Sequence, residues 1–150
     1  MIDRILVAVD DSAPALAAAE YGVRLAEELS AELLFVTVAD RGGDPEVVLR
    51  HVTSVARAAG VPATSRVVPD GQQPYEALLD AALAEDVDLV VMGRSDRRSS
   101  GRPYVGSQTE HLLEFAHVPV VVVPESAGPA TGLDPSAAAS APPARIIRRG

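Results

Sequence analysis

The sequence predicts one α/β domain, a doubly wound parallel sheet with helices on both faces. Three observations carry this. Short apolar runs alternate with amphipathic patterns from residue 2 to residue 124. The run Ile5–Val9 is apolar throughout rather than alternating, as a strand buried on both faces is. Turn-forming residues such as Gly60 and Pro62 separate them. A chain of 150 residues that is 47% hydrophobic buries a core without staples.

Each element has its own signal. Ile5–Val9 is the first strand. Ser12 is placed to cap the next helix and Pro14 suits its first turn. Over 13–30 the apolar face is Leu16, Ala19, Val23, Ala26 and Leu29, opposite Glu20, Arg24 and Glu27. Leu33–Val38 is the second strand, and 44–59 is a second helix ended by Gly60 and Pro62. Thr64–Val68 is a short third strand. Over 74–85, Leu78, Leu79, Ala82 and Leu83 are expected inward. Leu89–Met92, Ser107–Phe115 and Val120–Val123 complete the alternation as strand, helix and strand.

The domain is expected to span residues 1–124. Beyond it Ala, Pro, Ser and Gly dominate, and 125–150 reads as a disordered tail. Its closing Arg145-Ile146-Ile147-Arg148-Arg149 reads as uninvolved rather than as a docking segment.

Composition removes several functions. The net charge of −8 argues against general nucleic-acid binding. Cysteine is absent, so there is no disulfide, thiolate nucleophile or cysteine metal site. All 13 basic residues are arginine, which rules out lysine chemistry. No apolar run approaches the ~20 residues of a transmembrane helix, and no signal segment is visible. A cytoplasmic protein with no membrane partner is expected.

In an open α/β sheet ligands bind beyond the C-terminal strand ends. The candidates are therefore Asp10, Asp11 and Ser12 after strand one, Ala39 and Asp40 after strand two, and Gly93 with its loop after strand four. That loop holds Arg94, Arg97, Arg98 and Arg102 against one acid, Asp96, before Gly106-Ser107 opens a helix. A cationic glycine-flanked loop before a helix N-terminus suits a polyphosphate. The structural alternatives are a solvated loop and, for Asp10, a carboxylate that stabilises its own turn. His51, His111 and His117 are scattered. His111 reads as a surface residue and His117 as a turn residue.

Four blocks in order resemble the universal stress protein family. They are Ile5-Leu6-Val7-Ala8-Val9-Asp10-Asp11-Ser12, Val90-Val91-Met92-Gly93, Gly106-Ser107-Gln108-Thr109-Glu110 and Val118-Pro119-Val120-Val121-Val122. The resemblance covers residues 2–124. It implies the adenine nucleotide alpha hydrolase-like fold with strand order 3-2-1-4-5. It also implies ATP, or a related adenylate with any Mg²⁺ arriving on the nucleotide, held by a Gly-x2-Gly-x9-Gly-Ser/Thr loop. Carried over by position, Asp10 meets the ribose or base and Val38 packs beside adenine. Gly93, Gly106 and Ser107 line the phosphates. Val9, Ser12, Met92, Arg94, Arg97 and Gln108 complete the implied site. Homodimerisation through the edge strand Val120–Val123 is implied as well.

One position departs from the pattern: Asp96 stands at the middle glycine, and Pro103 stiffens the loop. Two readings follow. Neighbouring arginines neutralise Asp96 and an adenine-nucleotide switch results, or the chain is a stress-response dimer that holds no nucleotide and acts through an unidentified protein partner. Any ATP hydrolysis is expected to be slow. A phosphoryl-accepting receiver is disfavoured because its lysine is missing. A hydride-transfer enzyme is disfavoured because Asp10-Asp11-Ser12 stands where Gly-x-Gly-x-x-Gly belongs.

Overall fold

A computed structural model describes residues 1–39, 44–94 and 107–127. In chain order these form β1 (Arg4–Ala8), α1 (Ala13–Leu29), β2 (Glu32–Val38), α2 (Pro45–Ala58), β3 (Ala63–Val68), α3 (Pro74–Ala84), β4 (Leu89–Arg94), α4 (Ser107–Phe115) and β5 (Val120–Pro124). A 3₁₀ turn, Glu125–Ala127, follows β5 and packs against α1. Residues 128–150, most of the expected tail, lie outside the described residues.

The described strands form one parallel sheet in the order β3-β2-β1-β4-β5. This is the expected doubly wound fold. The centre is the most apolar part, because β1 is paired on both sides: Ile5, Leu6 and Val7 are wholly buried. Strand alternation divides the core in two. Ile5, Val7, Leu33 and Phe35 face α1 and α2. Leu6, Leu34, Val36 and Val90 face α3 and α4. At one edge, β3 exposes Thr64, Ser65 and Arg66. At the other, Val120, Val121 and Val122 of β5 are only half-buried.

Several boundaries move from their expected places, each for a tertiary reason. β1 begins at Arg4, which lies opposite Glu32 in register. It ends at Ala8, although the Val9 N–H still donates to the Val36 carbonyl at 2.9 Å. α1 stops at Leu29 because Ser30 turns left-handed at φ 55° and returns its N–H to the Ala26 and Glu27 carbonyls. β4 runs on through Gly93 and Arg94, which pair with Val123 and Pro124 of β5. The faces of two helices also need correction. Leu29 and Leu83 are exposed, not inward. Each sits in the last turn of its helix, beyond the last buried residues, Ala26 and Ala82.

Candidate functional site

Every strand here runs the same way, so every crossover helix runs back against it. All helix N-termini therefore gather at the C-terminal edge of the sheet. Their unpaired N–H groups give that edge a positive field of about half a charge per helix. The strand order reverses beside β1, with β2 on one side and β4 on the other. A crevice opens at that reversal.

The cleft there measures about 240 Å³. Val9 and Asp10 enter it from the end of β1, Thr37 and Val38 from β2, and Met92 and Gly93 from β4. Ser12, Pro14 and Ala15 supply the first turn of α1. Pro74 and Leu78 come from α3 and Gln108 from α4.

Local chemistry fixes these groups. The Ser12 hydroxyl accepts the Ala15 N–H at 3.3 Å and caps α1, with Pro14 in its first turn. One Asp10 oxygen accepts the Ser12 N–H at 2.8 Å. The carboxylate thus holds its own turn and keeps its other oxygen for a donor from outside. Gln108 ties two helices together: its Oε1 accepts the Tyr75 N–H at 3.1 Å and its amide donates to the Gln73 side chain at 3.3 Å. Stacking of Tyr75 on the exposed His111, centroids 4.9 Å apart, continues that seam.

Gly93 has a reason of its own. A Cβ there would lie 2.1 Å from the Pro14 carbonyl oxygen and 3.1 Å from the Ala15 nitrogen. The first turn of α1 rests directly on the β4 backbone, and no other residue fits beneath it.

The structure brings Val9, Asp10, Ser12, Val38, Met92, Gly93 and Gln108 around one cleft. Ser107 opens α4, immediately before Gln108. Arg94 ends β4 and is not among the described residues that line the cleft. Asp40, Asp96, Arg97, Arg98, Arg102, Pro103 and Gly106 lie outside the described residues. His51 borders a second hollow beside the cleft, and His117 is exposed in the turn before β5. Among the described residues no group of three His, Cys, Asp or Glu is placed to hold a metal ion. No described helix is long and apolar enough to cross a membrane.

Sequence reading missed part of this lining. Thr37 had a signal, being the one hydroxyl in the apolar run Leu33–Val38. Pro74 had none, because it lines the cleft beside Gln108 from more than thirty residues away in the chain.

The clearest shifts in acidity lie away from the cleft. Asp88 is held below the usual carboxylate range by the backbone N–H groups of Asp3 and Arg4. Burial pushes Glu20 up, against the opposing pull of Arg24 and His51.

Comparison with known proteins places this geometry. The model of the universal stress protein family matches residues 1–59 and 46–124. A universal stress protein of Thermus aquaticus is 32% identical over 137 residues, covering 82% of this chain and 99% of that one. A universal stress protein family structure from Burkholderia pseudomallei is 30% identical with a TM-score of 0.62, covering 82% of this chain and 96% of that one. A universal stress protein solved in complex with cAMP has a TM-score of 0.70 at 23% identity, covering 83% and 98%.

Proposed function

The chain belongs to the universal stress protein family, and we propose that it is a regulatory protein that binds an adenine nucleotide, ATP or a close relative, in the cleft at the ends of β1 and β4. The observation that carries this is the convergence of the α1, α3 and α4 N-termini on the residues predicted from sequence. A helix N-terminus favours an anion, and three around one crevice favour a phosphate chain. Structural neighbours solved with cAMP, with dAMP and with AMP add an adenine to that phosphate. Each is under 25% identical to this chain, so the ligand is carried over as a proposal.

In this reading the spare oxygen of Asp10 receives the ribose or base. Val9, Val38 and Met92 supply the apolar wall. Ser12, Gly93, Gly106 and, from the start of α4, Ser107 and Gln108 are assigned to the phosphates. Arg94, Arg97 or Arg98 balances Asp96. Any Mg²⁺ travels on the nucleotide. The protein acts in the cytoplasm as a homodimer joined through β5, and its nucleotide state is read by a protein partner.

Freshly purified protein is denatured and any released nucleotide identified by chromatography and mass, after which the emptied protein is titrated with ATP·Mg by calorimetry. Adenine nucleotide released or bound supports the switch. Gly106→Asp should then abolish binding with the fold intact, because a carboxylate competes for the helix N-terminus. Asp96→Gly should tighten binding. The second reading, a dimeric stress-response scaffold without nucleotide, is favoured by Asp96 at the motif glycine. Neither released nucleotide nor binding heat selects it.

A further inference from the structure

The seam between α3 and α4 leaves apolar side chains uncovered on the face of the sheet away from α1 and α2. Tyr75 stacks on His111 and on Phe115, with ring centroids 4.9 and 6.0 Å apart. Leu79 and Leu83 follow Tyr75 along α3 at one-turn spacing. Leu79 is partly buried, whereas Leu83 is 63% and Phe115 49% exposed. A surface patch of aromatic and aliphatic side chains marks a place of contact.

Charge of one sign surrounds the patch. Glu76 and Asp80 stand exposed on α3, and Glu110 and Glu114 on α4. Each pair lies one turn apart, where like charges destabilise a helix. Neither helix carries an arginine. Glu76 accepts the Gln73 N–H at 3.4 Å, and Asp80 accepts the Gln72 amide at 3.0 Å. No described residue bonds to the carboxylates of Glu110 and Glu114. An occupant of this seam therefore presents apolar side chains between cations.

One segment of this chain has that composition. Arg145-Ile146-Ile147-Arg148-Arg149 sets two isoleucines between three arginines, with no acid in the last fifteen residues. Taken alone the run has no counterpart and reads as uninvolved. The α3–α4 seam supplies one. The isoleucines match Leu79, Leu83 and Phe115, and arginine both pairs with carboxylates and stacks on aromatic rings such as Tyr75. Length permits the match. Ala127 ends a turn packed on α1, on the opposite face of the sheet. From there to Arg145 is eighteen residues, a reach of about 60 Å. A domain of this size is only roughly 35 Å across.

We propose that residues 145–149 of this chain, which lie outside the described residues, dock on the seam between α3 and α4. The isoleucines pack on Leu79, Leu83 and Phe115. The arginines pair with the carboxylate rows of the two helices. Tyr75, Leu79, Leu83, Phe115 and the four acids do not line the nucleotide cleft, so this contact stands or falls independently of the nucleotide.

The test places a nitroxide on Ala144→Cys in the full chain, which has no other cysteine. Amide NMR signals of α3 and α4 should lose intensity with the nitroxide oxidised and regain it on reduction. Signals of α2, on the other face, should not change. Ile146→Ser with Ile147→Ser should abolish the loss, with circular dichroism unchanged. Glu110→Arg with Glu114→Arg should do the same. Adding Arg148→Glu and Arg149→Glu to that second variant should restore the loss. No loss, or equal loss on both faces of the sheet, overturns the proposal. So does a loss that survives either set of substitutions, or one that the charge exchange fails to restore. Isotope-labelled protein without the nitroxide is then mixed with unlabelled protein that carries it, and the α3 and α4 signals should stay intact. Loss in that mixture gives the seam to a second copy and also overturns the proposal.

Discussion

A single missing atom at Gly93 lets α1 settle on β4. With a Cβ 2.1 Å from the Pro14 carbonyl, Gly93→Ala forces helix and strand apart. The expected cost is about 3 kcal/mol, the upper range for overpacking, because backbone cannot rotate away. Gly22→Ala meets only the Val7 Cγ2, at 2.7 Å, and should cost less. Urea unfolding of the two variants tests the order, and a milder Gly93→Ala would refute it. Asp88 gives a pH signature. Its carboxylate accepts the Asp3 and Arg4 N–H groups at 2.9 and 3.1 Å, which lowers its pKa. A depressed carboxylate stabilises the fold above its unfolded pKa, near 4, and loses that contribution as pH falls through the folded value. Asp88→Asn should therefore melt lower than the parent at pH 7, and the gap should close on acidification below about pH 4. A gap independent of pH would mean that the interaction does not depend on charge.

At the scale of elements, capping was legible and helix faces were legible in part. Ser12 and Pro14 announced the start of α1, and both act there as read. Ser12→Ala should cost about 1 kcal/mol by denaturant titration. Leu29 and Leu83 misled because periodicity says which side a residue occupies, not whether a neighbour reaches it. Gly93 and Arg94 looked like the opening of a loop, yet β5 extends to Pro124 and keeps them paired. The edge strand carries the proposed association. Val120, Val121 and Val122 stand half-buried on an unpaired edge, a liability that pairing removes. Val121→Asp should convert a dimer to a monomer in light scattering. A species of unchanged mass would place any interface elsewhere.

Across the whole molecule, the fold was readable because parallel strands declare themselves as apolar runs, unbroken in Ile5–Val9 and interrupted only by Thr37 in Leu33–Val38. The C-terminal edge followed from topology, which put Asp10 and Gly93 in one crevice, while Val38 came from the family resemblance. The α3 wall was not readable. Gln73 and Pro74 come to Gln108 through packing, and no local pattern encodes a contact between helices so far apart in sequence. The reason for Gly93 was hidden for a related cause: its neighbour is the backbone of a helix some eighty residues earlier. The two rims of the sheet differ in a way that bears on size. Thr64, Ser65 and Arg66 make the β3 rim hydrophilic, while the β5 rim is a row of valines. A sheet adhesive on one side only grows by one step. Joined valine to valine, two copies would turn their wettable rims outward, and the assembly would end as a closed pair rather than a fibre.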